Sequence, residues 1–105
     1  MPRDVRYVFG HALFLAQAGE KHPDAMAMKG FGGAAKAMEV VADYESDTYR
    51  AMYTGKLGNH VFVLHCFKKK STSGSRTPKA ELDVIEQRLK GATELYEDLK
   101  KDSTR

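Results

Sequence analysis

Residues 48–70 read TYRAMYTGKLGNHVFVLHCFKKK. Two strand-like runs, Thr48–Thr54 and His60–Phe67, flank a Gly-bearing turn, and three lysines follow the second run. In the first run Tyr49, Ala51 and Tyr53 share one face, and Thr48, Arg50 and Met52 the other. In the second, Val61, Val63, His65 and Phe67 alternate with Phe62, Leu64 and Cys66. Apolar side chains on both faces predict a central strand. The stretch is therefore a hairpin ending in positive charge, and the flanking chain decides what surrounds it.

Upstream, AMEVVADY at 37–44 alternates Met38, Val40, Ala42 and Tyr44 with Glu39, Val41 and Asp43, which predicts a third strand. A turn at Glu45-Ser46-Asp47 joins it to the hairpin. Residues 19–36 read as a connector: the cluster Gly30-Phe31-Gly32-Gly33 suits tight turns with Phe31 plugged into the core, and it lacks the GxxxxGK[ST] spacing of a phosphate loop. Residues 3–18 place Val5, Val8, Phe9, Ala12, Leu13 and Ala16 at helical spacing, with Pro2 at the start and Gly19 at the stop. Gly10 interrupts this helix, and close packing against a neighbour would explain it.

Downstream, STSGSRTP at 71–78 reads as a polar loop, with Thr77-Pro78 as a helix start. From Pro78 to Lys101, Leu82, Ile85, Leu89, Ala92, Tyr96 and Leu99 form one apolar stripe. The order predicts an α+β domain over residues 1–105: an N-terminal helix, a three-stranded antiparallel sheet and a C-terminal helix, with the helices packed on one sheet face.

Composition narrows the function classes. No apolar run approaches the roughly 20 residues of a membrane helix. Arg3, Asp4 and Arg6 precede any apolar segment, unlike a signal peptide, so a cytoplasmic location is expected. Cys66 is the only cysteine, which agrees with a reducing compartment. The histidines show no HxxxH or HExxH spacing and there is no CxxC, so neither metal nor cofactor is expected. No GxSxG nucleophile motif occurs.

The charge is uneven. Between Lys68 and Lys90 stand seven Lys or Arg against three acids, whereas Glu39–Asp47 holds four acids and no base. A basic segment in a small domain suits a polyanion, nucleic acid first, although a solvated charged face has the same composition. Arg50, inside a strand between two tyrosines, either pairs with Glu39 or Asp43 on the adjacent strand or projects to hold a phosphate. Alternation puts at least one of Lys68, Lys69 and Lys70 on the Arg50 face, and Arg76 and Lys79 would extend a phosphate cradle. Tyr49 and Tyr53 fit either core packing or base stacking. His65 is either a packed histidine or a proton-transfer group.

The series KGFGG (29–33), MEVVADY, TYRAMYTG (48–55) and VFVLHCFKKKSTSGSRTPKAELDVIEQRLKGA (61–92) resembles the phage-derived, HigB-like branch of the RelE/ParE superfamily of type II toxins, over roughly residues 4–97. The resemblance implies helices against an antiparallel sheet and a ribosome-dependent mRNA endonuclease, neutralised by a cognate antitoxin such as a helix-turn-helix protein. It implies cleavage without a metal, by attack of the RNA 2′-hydroxyl on the adjacent phosphate. By position it assigns Arg50 and Lys68–Lys70 to charge stabilisation and Lys29 to a further cation contact, with Arg76 and Lys79 on RNA backbone; His65 is either the proton-transfer group or structural. Relatives usually open with a β-strand and a helical start before the segment matching DVRYVFGHAL, so the first strand and part of the first helix are expected to be absent here. A sheet short of that strand would expose an edge for an antitoxin segment or a second copy of the chain. Two other readings share the fold: a ParE-like inhibitor of DNA gyrase without nuclease activity, and an inactive phage-derived remnant that binds only its antitoxin.

Overall fold

The computed structural model of the chain describes residues 1–28, 36–58, 60–70 and 78–103. In order, the elements are α1 (Arg3–Gln17), β1 (Ala25–Ala27), β2 (Ala37–Tyr44), β3 (Asp47–Thr54), β4 (Val63–Lys70) and α2 (Lys79–Ser103). The α+β order holds. The glycine cluster with Phe31 and the Thr77 cap lie outside the described residues.

α1 forms because Val5, Phe9, Ala12 and Ala16, spaced by four, three and four, bury one stripe. It stops at Gly19, whose φ is +80°. There the Gly19 N–H donates to Ala16 O and the Glu20 N–H to Leu15 O, the paired bonds of a Schellman cap. Gly10 is not explained by packing, since a Cβ there would meet nothing within 4 Å. Gly10→Ala should therefore stabilise the protein by about 0.5–1 kcal/mol, read as a higher urea midpoint; an unchanged or lower midpoint would count against it.

The sheet has four antiparallel strands in the order β1-β2-β3-β4, one more than the sequence predicts. The extra strand is β1, inside the stretch read as connector. A turn launches it: the Asp24 N–H donates to His22 Nδ1 at 3.0 Å, and the Ala25 N–H to His22 O at 3.0 Å. Ala25, Met26 and Ala27 then pair with Val40, Glu39 and Met38, covering part of the β2 edge that the sequence leaves bare.

The expected third strand shifts and loses its central place. β4 runs Val63–Lys70 at the sheet edge, and the central strands are β2 and β3. His60 instead closes a small turn with Leu57. The apolar run looked two-sided because it contains a bulge. Met52 pairs with His65 and Tyr53 with Val63, leaving Leu64 as the extra residue. The three lysines lie within this edge strand, Lys68 opposite Tyr49, Lys69 opposite Thr48 and Lys70 opposite Asp47.

The helices take opposite faces rather than one. α1 packs on Val40, Ala42, Ala51 and Tyr53. α2 packs on Ala37, Met52 and Leu64 through Ile85, Leu89 and Ala92. Strand alternation makes these the two sides of the sheet. Tyr49 and Tyr53 belong to the α1 core, so core packing prevails over base stacking. No helix among the described residues is long and apolar enough to cross a membrane.

Candidate functional site

The α2 side of the sheet gathers the polar residues of interest. Met52 is fully buried beneath α2, and alternation along β3 sets Arg50 and Thr48 on the same side. Along β4, His65, Phe67 and Lys69 face that way, opposite Met52, Arg50 and Thr48. His65 and Phe67 stack, with ring centroids 5.6 Å apart and planes 24° apart.

Arg50 lies in the middle of this face with its side chain 10% exposed, and Arg50 Nη1 is 3.1 Å from Glu39 Oε1 on β2. The pairing with the adjacent strand, one of the two sequence alternatives, is therefore present. Thr48 Oγ1 donates to Asp43 Oδ1 at 2.8 Å beside it.

His65 is held on both ring nitrogens. Nε2 meets Glu81 Oε2, and Nδ1 meets Arg88 Nη1 at 3.2 Å. Arg88 Nη1 also donates to Leu64 O at 2.9 Å. Glu81 and Arg88 stand seven residues apart, two turns of α2, so both reach the same strand. The Leu82, Ile85 and Leu89 stripe beside them fixes the helix against the sheet.

The structure thus brings Arg50, His65 and Lys69 to one face and separates Lys68 from them. Lys68 lies on the α1 side, with Nζ 3.9 Å from Asp47 Oδ2. Lys70 ends β4 opposite Asp47. Lys79 is exposed at the first residue of α2. Lys29 and Arg76 lie outside the described residues. Desolvation pushes the Cys66 thiol up from its ordinary value, so it is not primed as a thiolate nucleophile. Among the described residues no group of three or more His, Cys, Asp or Glu is placed to hold a metal ion.

Sequence reasoning missed Glu81 and Arg88. Their signal was the seven-residue spacing beside the apolar stripe, which puts an acid and a base over whatever strand the stripe covers. Phe67 was placed on the His65 face but given no role.

A family model described as Phage derived protein Gp49-like (DUF891) matches residues 1–90. No curated protein and no solved structure matches the chain.

Proposed function

Because the chain belongs to the phage-derived Gp49-like family, a RelE/HigB-like toxin family, we propose that it is the toxin of a type II toxin–antitoxin pair and an endoribonuclease cutting mRNA on the ribosome. The observation that carries this reading is the shared face of Arg50, His65 and Lys69, with Lys79 at the adjoining helix start. In the proposed reaction the 2′-oxygen bonds to phosphorus and the bond from phosphorus to the 5′-oxygen breaks. The products are a 2′,3′-cyclic phosphate and a 5′-hydroxyl.

Such a reaction needs positioning, proton transfer and cations aimed at the phosphoryl oxygens. Lys69 and Arg50 supply the cations, and proton transfer falls to the His65 end. Lys79 holds RNA backbone, as do Lys29 and Arg76. Lys68 and Lys70 keep the strand end cationic. A helix-turn-helix antitoxin is the proposed partner, and its co-expression should restore growth.

Induction in bacteria should arrest growth and produce new mRNA 5′ ends in primer extension. Arrest with gyrase-linked DNA breaks and intact mRNA would favour a gyrase inhibitor instead. A harmless chain that only binds antitoxin would make it a remnant. The face assignment predicts unequal lysines: Lys69→Ala should slow cleavage about a hundredfold, as for loss of one charge-stabilising donor, whereas Lys68→Ala should change it less than about threefold. Equal losses in a ribosome-programmed cleavage assay would overturn the assignment.

A further inference from the structure

The candidate site contains a chain of contacts that fixes where a proton can go. It starts at the β4 bulge, where Leu64 has no partner in the strand register. Its carbonyl receives Arg88 Nη1 at 2.9 Å, and the same nitrogen lies 3.2 Å from His65 Nδ1. A guanidinium has donors and no acceptor. His65 Nδ1 must therefore accept, and the single proton of the neutral ring sits on Nε2, which faces Glu81 Oε2.

Both ring nitrogens of His65 are thus engaged, leaving no lone pair to take a proton from a substrate. Glu81 differs: it uses one oxygen toward His65, and a carboxylate accepts on both. Its side chain is also the more open, 31% exposed against 17% for His65.

We infer that Glu81 is the proton acceptor of this site, with His65 and Arg88 as its positioning residues. The inference rests on the endoribonuclease reading above. The 2′-hydroxyl proton passes to Glu81 as the bond from the 2′-oxygen to phosphorus forms. The departing 5′-oxygen takes a proton from water, and Glu81 then returns its own to solvent. His65 Nε2–H holds the carboxylate at the required angle, and Arg88 holds the ring in the tautomer that can do so.

Two measurements separate this from its rivals. Long-range nitrogen–proton NMR of the folded chain at neutral pH should show His65 as the Nε2–H tautomer, and Arg88→Gln should mix the two tautomers. In single-turnover cleavage, Glu81→Gln should lose at least about a hundredfold, with RNA binding and circular dichroism unchanged. His65→Gln, which keeps an N–H donor, should lose only about tenfold or less. A loss at His65→Gln equal to that at Glu81→Gln would make His65 the proton acceptor and overturn the inference, as would an Nδ1–H spectrum or an active Glu81→Gln protein. A wild-type chain that cleaves no RNA overturns the nuclease reading and the role of Glu81 with it. The NMR result then still decides whether Arg88 sets the tautomer.

Discussion

Arg50→Ala should produce both an inactive protein and a less stable one, by about 3 kcal/mol. The guanidinium is 10% exposed and pairs with Glu39, itself 19% exposed, at 3.1 Å. Removing one partner of a buried ion pair strands the other charge in a poorly solvated site, which typically costs about 3 kcal/mol or more. Domains of this size hold about 5–15 kcal/mol in total, so much of the population would sit near unfolding at growth temperature. Loss of toxicity in Arg50→Ala alone would therefore say little about RNA. The paired replacement Glu39→Met with Arg50→Met separates the roles, since two apolar side chains of similar volume remove both charges together. Its urea midpoint should return to within about 1 kcal/mol of wild type, and its cleavage should stay at least about a hundredfold down. A stable double variant that still cuts mRNA at the wild-type rate would make Arg50 a structural residue only.

That outcome was only half visible in the sequence. The pairing of Arg50 with Glu39 depends on strand register, and alternation alone allowed Asp43 as well. What is local was legible: the α1 stripe, β2, β3 and the α2 stripe all repeat often enough to show a period, and Gly19 marks the α1 stop by residue type alone. β1 spans three residues, too short for alternation to be recognised, and only its pairing with β2 makes it a strand. β4 was misplaced because Leu64 and His65 both oppose Met52, which breaks the period of two and mimics a strand buried on both sides. Alternation put at least one of Lys68–Lys70 on the Arg50 face, and the register of β3 on β4 makes it Lys69. The contacts of Glu81 and Arg88 with His65 do not follow from alternation, because they join residues 16 and 23 positions apart through helix docking.

Ile85→Ala should be the most damaging single change in α2. Ile85 is fully buried, and with Leu89 and Ala92 it seats the helix on Met52 and Leu64. Truncation forfeits the transfer energy of the lost methyl and methylene groups and leaves a cavity that neighbouring strands cannot collapse into freely, about 2–5 kcal/mol in all. At a slope of about 1–3 kcal/mol per molar urea, the midpoint should fall by about 1 M or more. Leu95→Ala is the control: Leu95 is 50% exposed on the same helix, and its loss should stay within about 0.5 kcal/mol. The damage should also reach the site. Ile85 stands four residues after Glu81 and three before Arg88, on the same helical face, so it sets the height of both arms above His65. Ile85→Val, which costs about 1 kcal/mol, should preserve the His65 tautomer, whereas Ile85→Ala should blur it even below the unfolding transition. If Ile85→Ala and Leu95→Ala shift the urea midpoint equally, α2 is not docked through this stripe, and the placement of Glu81 and Arg88 over His65 falls with it.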